Sequence, residues 1–197
     1  MSASGKEQSG NLKGLRVAIV ATEGFEQAEL IKPKEALEEA GARVDVISPK
    51  AGIKSGKIKG WNMTDWGDSV KVDAELSEAK EGNYDALVLP GGVMSPDKLR
   101  MDSQAVTFIK SFVKNKKPIA AICHGPWTLI EADAVRGKKM TSWPSLQTDL
   151  RNAGAQWVDE EVVEDSGLIT SRKPDDLPAF NQRVIELFGR ETHHAAA

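Results

Sequence analysis

The hydrophobic positions of this chain come in short blocks that are apolar almost throughout, separated by stretches in which apolar residues return every three or four positions. The blocks are Leu15-Arg16-Val17-Ala18-Ile19-Val20-Ala21, Ala86-Leu87-Val88-Leu89 and Pro118-Ile119-Ala120-Ala121-Ile122-Cys123. A strand covered on both faces has no solvent side to keep polar, so it reads as a run rather than an alternation. After the first block, Ala28, Leu30, Ile31, Leu37 and Ala40 fall at helical spacing over 26–40, and Gly41 supplies the stop. Pro33 lacks the N–H of an interior turn, so a kink or a division of that helix is expected. Positions 43–48 alternate as a second strand, and 49–72, rich in Gly, Lys and Asp, suggests a hairpin excursion. Helices are expected at 104–114, at 125–132 directly after the third block, near 146–153, and at 175–188 as the closing element. Shorter strands are expected near 139–142, around 157–163 and at 168–171. Strands that alternate with helices along most of a chain predict an α/β fold, with a mostly parallel sheet covered by helices on both faces.

Length and charge narrow what such a fold does. The 197 residues, 40% of them hydrophobic, suit one domain, placed at 14–189 between a leader (1–13) and a tail (190–197) that are expected to lack structure. The 26 basic and 29 acidic side chains are interspersed, leaving a formal net charge of -3 and no footprint for a nucleic acid. Partners are then small molecules or further copies of the chain. No run approaches the roughly 20 apolar residues that span a bilayer, so no membrane association is expected. The leader lacks the apolar centre of a signal peptide, and a cytoplasmic location follows. A single cysteine permits no internal disulfide, and a reducing cytosol suits a free thiol.

Ligands of an open α/β sheet gather beyond the carboxyl ends of its strands. Chemistry is therefore sought at Ala21-Thr22-Glu23-Gly24-Phe25-Glu26, Pro90-Gly91-Gly92 and Cys123-His124-Gly125-Pro126. An isolated cysteine is more often a small buried hydrophobe than a nucleophile. Cys123, however, ends an apolar strand and precedes His-Gly-Pro, so its sulfur can face the N–H groups that open the next helix, and a lowered thiol pKa is expected. The turn is similar to a nucleophile elbow, without the full Gly-x-nucleophile-x-Gly pattern. His124 is the only histidine outside the tail and hence the only candidate imidazole partner. Glu23, Glu26 and Glu29 sit where the helix dipole favours carboxylates; one of Glu26 and Glu29 could reach the sulfur and, once buried, stay protonated as a donor. A glycine N–H of the Pro90-Gly91-Gly92 turn could combine with the His124 N–H as an oxyanion hole. Glu26, Gly91, Trp127 and Trp143 are the candidate pocket residues. One cysteine and one internal histidine form no ligand cluster, so neither a metal nor another cofactor is expected.

Gly24-Phe25-Glu26-Gln27-Ala28-Glu29-Leu30, Ala86-Leu87-Val88-Leu89-Pro90-Gly91-Gly92 and Ala121-Ile122-Cys123-His124-Gly125-Pro126 together resemble the PfpI branch of the DJ-1/PfpI superfamily. Thr141-Ser142-Trp143-Pro144, Asn152-Ala153-Gly154-Ala155 and Ser171-Arg172-Lys173-Pro174-Asp175-Asp176-Leu177 extend the likeness over about 14–189. The resemblance implies a flavodoxin-like three-layer sandwich related to class I glutamine amidotransferases, assembled as a homodimer or larger homo-oligomer. It implies Cys123 as nucleophile, His124 as its neighbour, Glu29 as the carboxyl against the sulfur, and the N–H groups of Gly92 and His124 as oxyanion donors. It also implies an acid approaching the histidine from an adjacent subunit, for which Asp97 is the nearest match. Here the sequence departs from the pattern: Val93-Met94-Ser95-Pro96-Asp97 is one residue longer than some family loops, and Asp stands where others have Glu. The leading expectation is a cysteine-dependent stress-response hydrolase of reactive carbonyl adducts, deglycase- or glyoxalase-like, acting on small carbonyl compounds or modified proteins. The alternatives are an intracellular cysteine peptidase and a redox sensor or holdase using the same cysteine.

Overall fold

The computed structural model describes residues 11–195, with side chains to residue 190. The first part of the chain forms β1 (Arg16–Val20), β2 (Phe25–Glu26), α1 (Gln27–Glu39), β3 (Arg43–Ser48), β4 (Lys57–Asn62), β5 (Asp65–Lys71) and β6 (Ala74–Glu75). The middle forms β7 (Ala86–Leu89), α2 (Met94–Met101), α3 (Ser103–Lys114), β8 (Ile119–Ile122) and α4 (Pro126–Glu131). The last part adds β9 (Lys139–Met140), α5 (Gln147–Asn152), β10 (Gln156–Trp157), β11 (Val162–Asp165), β12 (Leu168–Ser171) and α6 (Leu177–Ala195).

Seven strands make the main sheet in the order β11-β12-β8-β7-β1-β3-β6, parallel throughout except for the antiparallel edge strand β11. The order β3-β1-β7-β8-β12 is the flavodoxin-like arrangement, whose direction of winding reverses between β1 and β7. Alternate side chains of each buried strand enter opposite cores. Val17, Ile19, Val88 and Ile122 pack with Leu30 and Leu37 of α1 and Phe180, Val184 and Leu187 of α6. Ala18, Val20, Leu87 and Ile119 pack with Phe108, Ile109 and Phe112 of α3 and Leu129 of α4. Two cores on one sheet are what the apolar runs demand, and they give the three-layer sandwich expected.

Several elements differ from the sequence reading. α1 is not divided: Pro33 lies buried within it, and the N–H it lacks is the one that would have bonded the Glu29 carbonyl. Packing of Leu30, Pro33 and Leu37 outweighs that loss. α2 was not expected; Pro96 in its first turn, where a backbone N–H has no helical partner in any case, was the available sign. The strand expected around 157–163 is two, β10 and β11, in different sheets. α6 continues through Ala195, so the tail expected to be unstructured is helical as far as the described residues reach. The leader boundary also moves, because Leu12 is fully buried and its N–H donates to the Ala40 carbonyl at 2.9 Å; the rest of the leader lies outside the described residues. No helix among the described residues is long and apolar enough to cross a membrane.

Candidate active site

Strand order sets the carboxyl ends of β8, β7 and β1 side by side, and each contributes one of the loops singled out from the sequence. At the end of β8 the chain turns sharply through Cys123, whose φ is 61°. A side chain in that left-handed region costs about 1–3 kcal/mol, so the surroundings must hold the turn. The Cys123 N–H donates to the Ser171 carbonyl of β12 at 3.0 Å, and the Cys123 carbonyl accepts from the Trp143 N–H at 2.9 Å. Gly125 closes the turn by donating to Ile122 O at 2.9 Å, and a Cβ there would lie 2.5 Å from Leu89 O, so β7 admits only glycine. Neither Ser171 nor the Trp143 main chain carried any sign of this role in the sequence, because both act through backbone atoms.

Cys123 is 6% exposed and packs on the α1 and α6 side of the sheet. That placement decides between the two carboxylates left open by the sequence. Glu29 is in phase with Pro33 and Leu37 on the core face of α1 and is fully buried, whereas Glu26 stands at the N-cap position, its side chain making no capping hydrogen bond, and stays half-buried. The carboxyl of Glu29 lies against the thiol; Oε2 accepts from Gly91 N–H at 2.9 Å, and Oε1 is buried with no hydrogen-bond partner. Burial first, and then the charge of Glu26, push the Glu29 pKa up to about 8, against the pull of Gly91 and Cys123. At neutral pH the group is therefore a protonated donor. Glu26 is also raised by burial, and its carboxylate accepts from the backbone N–H of Met63 at the tip of the β4–β5 hairpin, a partner the sequence did not suggest.

The expected lowering of the Cys123 pKa is not what the site produces. Burial pushes the thiol up, with the Glu29 charge behind it, and the N–H groups of Gly92 and His124 pull it only part of the way back. The physical reason is the 6% exposure of the sulfur side chain: lost hydration outweighs two N–H groups and a helix of only six residues. Glu29 and Cys123 thus titrate as a pair. Once one proton has left, the charge can rest on sulfur, facing two N–H donors and the Glu29 O–H.

His124 lies with Nδ1 3.1 Å from Sγ. Its ring stacks on Trp143 (centroids 6.0 Å apart, planes 23° apart) and meets Trp127 edge-on at 5.0 Å. Burial lowers its pKa to about 4, so the imidazole is neutral at pH 7. Trp127 is tied into the protein, its Nε1 donating to Asp149 at 3.1 Å and its ring covered by Arg100, while Trp143 remains 39% exposed at the rim. Gly92, at φ 79°, threads beside the helix start, where a Cβ would lie 2.6 Å from Glu26 N. The structure thus brings Cys123, His124, Glu29, Gly91 and Gly92 together, with Glu26, Trp127 and Trp143 around them. Asp97 is apart: it is exposed on the first turn of α2, and among the described residues no hydrogen bond joins it to His124. Behind the loops, the buried Ser95 hydroxyl accepts from Thr22 N–H at 2.9 Å and ties α2 to the end of β1. Among the described residues no group of three or more His, Cys, Asp or Glu side chains is placed to hold a metal ion.

Protein/nucleic acid deglycase 2 of Escherichia coli is 44% identical over 175 residues, covering 88% of this chain and 98% of that protein. General stress protein 18 of Bacillus subtilis matches with the same identity and coverage. YraA, also of Bacillus subtilis and bearing a provisional cysteine-protease name, is 44% identical over 173 residues, covering 87% of this chain and 97% of that protein. Among solved structures, a two-domain protein of Anabaena variabilis with DJ-1/ThiJ/PfpI-like and ferritin-like domains superposes with a TM-score of 0.82 at 38% identity, covering 89% of this chain and 48% of that one. The DJ-1/PfpI family profile matches residues 15–187, which takes in every strand and loop of the site, and the chain belongs to the DJ-1/PfpI family.

Proposed function

We propose that this protein is a cysteine-dependent hydrolase of reactive carbonyl compounds and their adducts, deglycase- or glyoxalase-like and active in stress response. The observation that carries the reading is the convergence on one sulfur of a buried, protonatable carboxyl, an imidazole Nδ1 at 3.1 Å and two backbone N–H groups. On a 1,2-dicarbonyl substrate, the Glu29–Cys123 pair that has lost one proton attacks the aldehyde carbon through Cys123 Sγ as thiolate, a C–S bond forms, and the carbonyl π pair moves to oxygen. That oxygen meets the N–H groups of Gly92 and His124 and takes a proton from Glu29. Glu29, now a carboxylate, removes the proton on the attacked carbon and returns it to the neighbouring carbon, while the hydroxyl proton passes from the first oxygen to the second through neutral His124, leaving a 2-hydroxyacyl thioester. Water then attacks the thioester, the C–S bond breaks, the sulfur leaves as thiolate, and neutral His124 passes the released proton to the Glu29 carboxylate, which restores the starting pair. The net change is addition of water, so no external oxidant is required; an amine or thiol carried by the substrate leaves as such. The names of the deglycase and stress-protein relatives support this reading.

The test is consumption of methylglyoxal, and of its adducts with thiols and amines, by the reduced protein beside Cys123→Ala. Turnover that the variant lacks supports the reading; turnover no greater than the variant's sinks it.

The exposed carboxylate of Asp97 favours one second reading, a cysteine peptidase in which a second copy brings Asp97 to His124. Asp97→Asn would then suppress cleavage of a fluorogenic peptide at least about tenfold while sparing methylglyoxal turnover. Equal peptide cleavage by the variant excludes the shared triad.

A further inference from the structure

The β4–β5 hairpin carries a second concave site on its outer face. A cavity of about 380 Å³ is lined by Glu23, Lys54, Lys57, Lys59, Trp66 and Ser69. Strand alternation explains the lining. Ile58 and Gly60 turn inward, Gly60 against the ring of Phe25, so Lys57 and Lys59 turn outward. Across the ladder, Lys57 faces Lys71 and Lys59 faces Ser69. Like charges directly opposite one another destabilise a strand pair, so this face is not arranged for stability. Lys54 has Glu23 at 2.9 Å and Lys71 has Asp73 at 3.5 Å. Lys57 and Lys59 form no ion pair among the described residues. Beside them the indole of Trp66 is 42% exposed, with Lys59 Nζ 5.8 Å from its centroid and Trp61 packed edge-on at 5.6 Å. A partly exposed indole with one ammonium over its ring and a second beside it, neither in an ion pair among the described residues, matches a ligand that has both a planar ring and an anionic group.

We infer that this cavity binds a nucleoside phosphate, with the base on Trp66 and the phosphate between Lys57 and Lys59, where the Ser69 hydroxyl can donate to it. A phosphate there also screens the repulsion between Lys57 and Lys71. The volume lies within the roughly 300–1,000 Å³ of small-molecule sites. None of the lining residues belongs to the Cys123 site. The two are joined through β2, since Gly24 N–H donates to Lys59 O at 2.8 Å and Glu26 pairs with Trp61 in the ladder.

Calorimetric titration of the full chain with adenosine 5′-monophosphate at low salt, beside adenosine and inorganic phosphate, tests this. The nucleotide is expected to bind saturably, about tenfold or more tighter than either fragment, and more weakly as salt rises. Joint substitution Lys57→Ala and Lys59→Ala should weaken nucleotide binding about tenfold or more, Trp66→Ala likewise, and Trp66→Phe should retain most of it. Circular dichroism of each variant separates lost binding from lost fold, and the lysine pair, being exposed, probes the site independently of Trp66. Absence of nucleotide binding at millimolar concentration overturns the inference. So does binding no tighter than that of phosphate, or binding indifferent to these substitutions.

Discussion

Glu26 and Glu29 are three positions apart, and one turn of helix gives them different chemistry. Glu29 is carried into the core, where burial and the neighbouring Glu26 charge raise its pKa to about 8; Glu26, just before the first helical residue, keeps contact with solvent. Removing the charge with Glu26→Gln should let the Glu29–Cys123 pair lose its first proton at lower pH. The acid limb of the pH–rate profile for methylglyoxal is then expected to move down, and an unmoved limb would show that Glu26 does not set the pair. Stability has its own sign. Between pH 4.5 and 6.5 the folded state holds one more proton than the unfolded on Glu29 and one fewer on His124, whose folded pKa is about 4, so the two slopes oppose. From 6.5 to 8 only the Glu29 slope remains, and stability falls by about 1.4 kcal/mol per pH unit, roughly 2 kcal/mol across the window. Urea melts at pH 6.5 and 8 should show this fall in the wild type and its loss in Glu29→Gln. Activity of Glu29→Gln should drop about 100-fold or more, since the variant can donate a hydrogen bond but transfer no proton.

The loops that end β7 and β8 are built so tightly that glycine is a geometric requirement. A Cβ on Gly91 would lie 2.5 Å from both Cys123 Cβ and Glu29 Oε2. Gly91→Ala must therefore push apart the thiol and the carboxyl. Methylglyoxal turnover is expected to fall about 100-fold or more, and stability by about 1–3 kcal/mol. Gly82→Ala, which meets nothing within 4 Å, is the control and should stay within about 0.5 kcal/mol in the same melts. The elements around these loops were unevenly legible. β1, β7 and β8 announce themselves, because a strand buried on both faces can hold only apolar residues. α2 and β2 did not. α2 has a weak apolar stripe, with Ser95, Pro96 and Leu99 its buried residues, and β2 is two residues long, paired to a strand that lies far on in the chain.

At the scale of the molecule, the sheet with two cores is what positions the chemistry. Phe180 of α6 is fully buried in the core shared with α1, β8 and β12, so Phe180→Ala should cost about 3–5 kcal/mol in urea unfolding. Met63→Ala at the hairpin tip, 79% exposed, should cost almost nothing in the same measurement. The alternation of apolar runs with helical spacing was enough to derive an α/β sandwich, and the strand-end rule was enough to nominate Cys123, His124, Gly91 and Gly92, because periodicity and turn residues are local properties of a chain. Tertiary structure decided the rest. It selected Glu29 over Glu26, since only packing says which side of α1 faces the sulfur. It reversed the expected pKa of Cys123, since lost hydration depends on everything packed around the thiol. It left Asp97 away from His124 within the chain. It also gathered Lys54, Lys57, Lys59 and Trp66 into one cavity in a sequence whose charges look evenly mixed. Pattern along a chain records which residues seek the interior; which groups meet there is set by contacts between segments far apart in sequence.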